Sequence, residues 1–455
     1  MKKAFAVPLA LLLLTGCSLT PDYQRPQVGT MQGWSATQTQ QSPSIIASNW
    51  WSTFQSDELD ALMAQALESN TDLRAGLQRI EQARASLKIA GATLLPSVSG
   101  SAGSSRSKSN PTTGSNSYAT SLSTGVSVSY ELDLFGTNRA VISAAESGYQ
   151  GSIFDQEALK LAMMGDVASG YFTLANLRER LKIADTNLTN AREVLRIIEA
   201  RVREGTESDL ELAQQKSAVS SSEASRASLV ESLSNAENAL AVLLGQVPQS
   251  LDVERKNLDT LNIPAIAAGQ PSELLERRPD LLSAEAKLKA ANADIGAARA
   301  AFYPSISLGL GNSLSLAGFG DPSSTVLSLA SSIAAPIFTG GRLDGGLDKA
   351  SARQLELVET YHGNVLSAFQ EVEDAMSAVK AAQMRETALE NAMQQSRRAY
   401  QLSKSLYDAG SIDYQTLLDT QKAQLSAEDA HAQTRLARLN AAVNLYRALG
   451  GGWNS

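Results

Sequence analysis

The sequence predicts a mainly helical, internally duplicated chain with two amphipathic β-hairpins, whose strands can close into a barrel only by oligomerisation. Three observations carry this. Landmarks recur at a nearly constant offset, proline-free stretches hold heptad seams, and serine-rich segments alternate with period two. Aromatic residues make up only 5% of the 455, thin for one large globular core. Ala, Ser, Leu, Gln and Glu dominate instead, as in long helices and coiled coils. A formal charge of -8 argues against a nucleic-acid partner.

The first element is a signal peptide over residues 1–16. Lys2 and Lys3 precede an apolar stretch from Ala4 to Leu14, and Leu14-Thr15-Gly16-Cys17 places small residues before a cysteine. The chain has one cysteine, and it stands where a lipid would be attached. Cys17 is therefore expected to be acylated, and two or more acyl chains there would anchor the chain stably. Ser18 follows, where an Asp would suggest inner-membrane retention. No disulfide framework is possible. Beyond Cys17 no run approaches the roughly 18 apolar residues of a spanning helix, so any crossing must be by β-barrel. Residues 17–56 read as an extended, lipid-anchored segment.

Two copies of one unit follow. Asn70-Thr71-Asp72-Leu73 and Leu95-Pro96-Ser97-Val98 are answered by Arg278-Pro279-Asp280-Leu281 and Tyr303-Pro304-Ser305-Ile306, each 208 positions later. Leu134-Phe135-Gly136-Thr137-Asn138-Arg139 is answered by Ile337-Phe338-Thr339-Gly340-Gly341-Arg342 at 203, and Gly205 by Gly410 at 205. The repeats are predicted over 57–250 and 272–450, with a connector at 251–271 and a tail at 451–455. Neither half reads as a separate domain.

Each repeat reads as helix, hairpin, long helix, tight turn, helix. The first helix is predicted over 57–93. The first hairpin spans about 96–135, where Leu122, Thr124, Val126, Val128, Tyr130, Leu132 and Leu134 alternate with small polar residues. The second spans about 304–338, with Ile306, Leu308, Leu310, Leu314 and Leu316 alternating likewise. Ser104 to Asn116 and Ala317 to Ser324 read as surface loops. One apolar face and one small polar face suit a wall between lipid and a wet lumen.

Long helices are predicted over 137–204 and 342–408. Leu188, Ala191, Leu195, Ile198 and Val202 form one seam; Leu355, Val358, His362, Val365, Phe369, Val372, Met376 and Val379 form the other. At about 1.5 Å per residue, such a helix runs to about 100 Å. Shorter helices over 208–245 and 412–449 follow tight turns, where Gly205 and Gly410 supply left-handed conformations.

Four strands cannot close a barrel, since single-chain barrels need about eight. Two copies would supply eight strands and three would supply twelve. Small lumen-facing residues would leave an eight-strand barrel poorly filled, which favours the wider one.

Specific runs then carry a resemblance: Tyr130-Glu131-Leu132-Asp133-Leu134-Phe135-Gly136, Arg278-Pro279-Asp280, Ala290 through Arg299, Pro336-Ile337-Phe338, Phe369 through Ala375, and Leu445 through Trp453. Together they resemble the TolC/OprM family of outer-membrane efflux proteins, and the lipobox resembles its lipoprotein branch. The resemblance implies a homotrimer whose twelve-stranded barrel continues into a periplasmic helical tunnel. It implies a periplasmic adaptor (membrane fusion) protein and an inner-membrane RND-type pump as partners. It implies a passive, porin-like exit duct in a multidrug efflux system, lipid-anchored in the outer membrane and gated at the periplasmic tip. A type I protein-secretion duct or a heavy-metal cation channel would share the fold.

By the same resemblance Asp419, within Leu417-Leu418-Asp419, is the first gate candidate. Asp413 is a second. In the first-half turn Glu207 and Asp209 are available, although Asp209 stands equally where it would support its helix N-terminus. Copies of such carboxylates around an axis would repel one another and attract cations. Gly205 and Gly410, at the tips, are candidate adaptor contacts.

No catalytic constellation is apparent. His362 and His431 are not paired at ligand spacing, and Met163-Met164 gives no soft-metal relay. Gly309-Leu310-Gly311 lies in a strand and is no phosphate loop. The chain is expected to be no enzyme, to hold no metal, and to carry no cofactor beyond the lipid on Cys17.

Overall fold

The computed structural model describes residues 18–29, 31, 33–35, 46–110, 112–113, 117–251, 253, 258–317 and 322–453. The signal peptide and Cys17 lie outside the described residues.

The helices are α1 (Asp57–Ser69), α2 (Thr71–Ala92), α3 (Thr137–Arg203), α4 (Asp209–Leu243), α5 (Leu274–Arg277), α6 (Pro279–Ala300), α7 (Arg342–Asp408) and α8 (Tyr414–Ala448). The strands are β1 (Ser97–Ser109), β2 (Ser117–Leu132), β3 (Ser305–Ala317) and β4 (Pro322–Ala334). The long helices α3 and α7 have 67 residues each.

The single helix expected over 57–93 is broken at Asn70, whose backbone is non-helical (φ -59°, ψ 128°). Its side-chain oxygen accepts from the amides of Asp72 and Leu73 at 3.0 Å, capping α2. Its side-chain nitrogen donates to the Leu243 carbonyl at 2.8 Å, so all three bonds favour the break. The second repeat breaks 208 positions later at Arg278 (ψ 115°), ahead of Pro279, whose ring excludes helical backbone from the residue before it.

The four strands form one antiparallel sheet in the order β1-β2-β3-β4. Val128 lies opposite Val98 and Leu310, and Leu310 opposite Leu329, on the apolar face. On the other face serine hydroxyls bond across the strands, Ser97 to Ser129 at 2.7 Å, Ser99 to Ser127 at 2.8 Å and Ser307 to Ser332 at 2.7 Å. β1 contributes few apolar groups, and Arg106 and Lys108 lie on its apolar face at 5.5 and 5.6 Å from the Tyr118 ring centroid.

Three boundaries differ from expectation. The alternation read to Leu134 ends at Leu132, because the Asp133 carboxylate accepts from the amides of Asn138 and Arg139 at 3.0 Å and starts α3. The loop read from Ser104 shortens, since β1 continues to Ser109 with Ser105 and Ser121 bonded at 2.9 Å. The second loop also shortens, as β3 runs to Ala317 and β4 begins at Pro322.

The chain divides into two compact units, each drawing segments from both repeats. One comprises residues 1–27, 78–154 and 282–363, and includes the sheet. In it residues 18–27 form an extended strap against α6. Asn292 donates to the Pro21 carbonyl at 2.6 Å, and Arg25 pairs with Glu285 at 2.5 Å. A Cβ at Gly296 would lie 2.1 Å from the Thr20 hydroxyl, so glycine permits this approach.

The other unit comprises residues 28–77, 155–281 and 364–455. Its core gathers Trp50, Phe54, Leu59, Met63, Tyr171, Phe172 and Tyr446. Trp50 stacks on Tyr446 with centroids 4.9 Å apart, and Phe54 meets Phe172 at 4.9 Å. Leu188, Ala191 and Ile198 of the first seam are buried, as are Val365, Phe369 and Val372 of the second. Leu355, read as a seam residue, is 63% exposed, while Val358 and His362 after it are half-buried.

Replacing Asn70 by Ala leaves the start of α2 uncapped and the Leu243 carbonyl without its donor. The expected cost is roughly 1–3 kcal/mol, read as a lower midpoint of thermal unfolding in detergent. An unchanged midpoint would show that the break needs no side-chain support.

Candidate functional site

The two tight turns are built alike. After α3, the amide of Gly205 donates to Val202 O at 3.0 Å and that of Thr206 to Arg201 O at 2.9 Å. After α7, Gly410 donates to Tyr407 O at 2.9 Å and Ser411 to Leu406 O at 2.8 Å. This doubly bonded C-terminal cap needs a left-handed residue. Gly205 and Gly410 supply it at φ +72° and +70°. Nothing lies within 4 Å of a Cβ built on either, so backbone conformation rather than space demands glycine.

Each following helix is capped by its own chemistry. Ser208 and Glu211 form a reciprocal capping box on α4. On α8, Asp413 accepts from the Thr416 amide at 2.9 Å. Bonds from the Thr416 side chain and backbone hold the Asp413 carboxyl below its ordinary range. Asp413, a gate candidate, is exposed and caps α8 as well. Asp209 is exposed in the first turn of α4. Asp419 is exposed on α8, six residues past the cap, and accepts from Gln415 Nε2 at 3.0 Å. The neighbouring Leu417 and Leu418 are buried.

Side chains that sequence reading did not single out, Arg201, Tyr407, Tyr414 and Gln215, join the two turns together with Glu207. Arg201 Nη1 pairs with Glu207 Oε1 at 3.2 Å, and Nη2 donates to the Tyr407 carbonyl at 3.1 Å. The same guanidinium lies 4.4 Å from the Tyr407 ring centroid. The Tyr407 hydroxyl donates to Glu207 Oε1 at 3.0 Å. Burial, reinforced by that carboxylate, raises the Tyr407 phenol far above its ordinary range, so it stays a donor. Deeper in, Tyr414 OH donates to Gln215 Oε1 at 2.7 Å, and Gln215 Nε2 donates to Ala191 O at 2.7 Å. Burial pushes Tyr414 up to about 12, with Glu211 adding to it. Ile198, Tyr400, Tyr407, Tyr414 and Leu417 form the apolar floor. The available signal was a disagreement between repeats. At the offset of 205 that relates the turns, Tyr407 and Tyr414 answer Val202 and Asp209.

Among the described residues no group of three or more His, Cys, Asp or Glu could hold a metal ion. Nor is any described helix long and apolar enough to cross a membrane.

Arg201→Met removes charge-assisted bonds worth roughly 1.5–3 kcal/mol. Amide exchange around both turns is expected to quicken by about tenfold or more, whereas Arg203→Met, whose side chain bonds only the Glu199 carbonyl, is expected to leave it unchanged. Equal effects would assign the joint to the apolar floor alone. The Asp413 cap has its own pH signature. Because folding lowers this carboxyl's pKa, the cap contributes fully above the ordinary Asp value and is lost as pH falls below about 4. Asp413→Asn is expected to remove that acid-induced step at the start of α8, measured by exchange against the wild type.

The comparisons with known proteins agree with this architecture. The model of the outer membrane efflux protein family matches residues 62–246 and 270–451. The chain is 38% identical to the pyoverdine export outer membrane protein OpmQ of Pseudomonas aeruginosa, over 98% of this chain and 96% of that one. It is 32% identical to the cation efflux system protein CusC of Escherichia coli K12, over 98% of each. Among solved structures, the open-state MtrE outer membrane channel of Neisseria gonorrhoeae superposes with a TM-score of 0.86 at 32% identity, covering 96% of this chain and 98% of that one. With matched segments in both repeats and similarity along nearly its whole length, the chain belongs to the outer membrane efflux protein family.

Proposed function

We propose that three copies of this chain close their sheets into a twelve-stranded barrel and serve as the passive outer-membrane exit duct of a tripartite efflux pump. The observation that carries this reading is the amphipathic four-stranded sheet whose outer strands, β1 and β4, each pair on one side only among the described residues. In a bilayer those edges must be paired, and only other copies offer matching strands. The serine-lined face would then meet a wet lumen and the apolar face lipid. Twelve strands leave an open bore where eight lined by serine and glycine would leave voids.

In this reading the helices form the periplasmic portion, and Cys17 carries the lipid that fixes the N-terminus at the membrane. The turns at Gly205 and Gly410 meet a periplasmic adaptor, and an inner-membrane pump of the RND type supplies the energy. The chain itself is no enzyme and needs no cofactor beyond that lipid. Similarity to proteins named for pyoverdine export and for cation efflux favours a duct that takes its cargo from its partners. Small molecules of a multidrug system are the proposed cargo. Asp419, exposed beside the tip, contributes to a closed resting aperture through repulsion and cation attraction around the axis.

Conductance of the purified chain in planar bilayers tests duct and gate together. Wild type is expected to show small, cation-selective currents, and Asp419→Ala larger ones with weaker selectivity. Absence of any channel would sink the duct, and unchanged currents in Asp419→Ala would remove the gate role alone. The anchor has a separate check: the mature N-terminal peptide is expected to carry acyl chains on Cys17 by mass spectrometry, and a bare thiol there would refute it.

A further inference from the structure

Inside the chain, the second strand of the first repeat meets the first strand of the second repeat. Leu132 lies opposite Ile306, Tyr130 opposite Leu308 and Val128 opposite Leu310. At the flank of this seam Phe135 stacks on Tyr303, with centroids 4.7 Å apart and planes inclined by 23°. The repeat offsets map Tyr303 back to Leu95 (208 positions) and Phe135 forward to Phe338 (203 positions). Those mapped residues have no such contact. Phe338 is 90% exposed, its neighbour Ile337 98%, and Leu95 68%.

We propose that Phe338 packs on the partner's Leu95, and that β4 pairs antiparallel with the partner's β1 in the register inherited from the β2–β3 seam. The proposal rests on the closed-barrel reading above, but not on the number of copies. Transferring the internal pairs at the flank offsets, 208 for β1 and the 203 that relates Phe135 to Phe338 for β4, sets Ile333 opposite the partner's Gly100, Leu329 opposite the partner's Ser104, and Leu327 opposite the partner's Arg106. The hairpins relate β2 to β4 at 205, since Val98 faces Val128 and Ile306 faces Ile333, and that offset would place β4 two residues away. Two features of the strands fit this register. The transferred pairs fall on matching faces, apolar side with apolar side, whereas a one-residue slip would turn Leu329 toward the serine face. The sizes also complement each other: β4 offers exposed Leu327, Leu329 and Ile333, while β1 offers Gly100, Ala102 and Ser104 on its apolar face. A two-residue slip would keep the faces, and the contact between Phe338 and the partner's Leu95 selects against it.

Cys17 is the only native cysteine, so introduced thiol pairs can be read cleanly. The full-length chain in detergent is treated with a short bismaleimide. Leu95→Cys with Phe338→Cys is expected to give covalent multimers on denaturing gels, and either substitution alone none. Phe135→Cys with Tyr303→Cys is expected to bridge within a chain, adding one linker mass to the monomer. A second pair, Ser104→Cys with Leu329→Cys, leaves the flank intact and is expected to form intermolecular disulfides on oxidation. If light scattering shows an intact assembly but neither pair links copies, the register is wrong and the closed barrel stands. Disulfides from Ser104→Cys to Ser331→Cys in place of Leu329→Cys would also overturn it. A wild-type chain that stays monomeric would overturn register and barrel together.

Discussion

Hydrocarbon offers a peptide group no hydrogen-bonding partner, and this constraint governs the rest of the structure. An unsatisfied N–H or C=O in lipid costs several kcal/mol, so a row of them along a strand edge outweighs the marginal stability of any domain. In one chain β2 and β3 have neighbours on both sides, while β1 and β4 each present an open row. A sheet of this kind placed in a bilayer would therefore have to be completed by further strands. The serine-bearing face adds a second demand. Its hydroxyls bond one another across strands in pairs, but their remaining hydrogen-bonding capacity requires water. A water-filled bore and a lipid-facing exterior are thus two sides of one alternation.

Helices meet the same requirement locally, each amide bonding a carbonyl one turn back, which is why α3 and α7 can run unbroken for 67 residues. Where the chain does break, repeat-equivalent positions break by different means. Asn70 ends one helix and caps the next with its own side chain. Arg278 breaks because proline follows it, and its guanidinium then binds Asp280 and Glu371. Two unrelated local solutions at one repeat position indicate that the break is required by the fold and was kept while the side chains diverged.

Periodic features were legible in the sequence because period 2 and period 3.5 describe backbone and burial together. That is why the long helices, the hairpins and the duplication could be read. Features set by single side chains were less so. The break at Asn70 is made by two local capping bonds and supported by a carbonyl 173 positions away, and an Asn within a helical pattern does not by itself announce it. Leu134 continued the alternation, yet Asp133 had already begun a helix by capping it. The strap along α6 has no period, and only the close approach at Gly296 marks it. Asp413 illustrates another kind of limit: that its carboxylate caps α8 is visible only in its bond to the Thr416 amide.

The joint between the two turns was hidden for a different reason, and that reason says something about the duplication. The backbone caps at Gly205 and Gly410 are equivalent, so at that level the halves remain interchangeable. The side-chain joint is not, because the first repeat supplies Arg201 and Glu207 and the second supplies Tyr407. Each side both donates and accepts, Arg201 giving to the Tyr407 carbonyl and Glu207 receiving from the Tyr407 hydroxyl, but through different residue types. The two repeats thus diverge at the turn joint as they do at the Asn70 and Arg278 breaks, while the alternation of the strands is common to both. A wall segment gains from being repeated, because every seam then closes by one rule. At the turns the two sides meet through different side chains, Arg201 and Glu207 from one repeat and Tyr407 from the other.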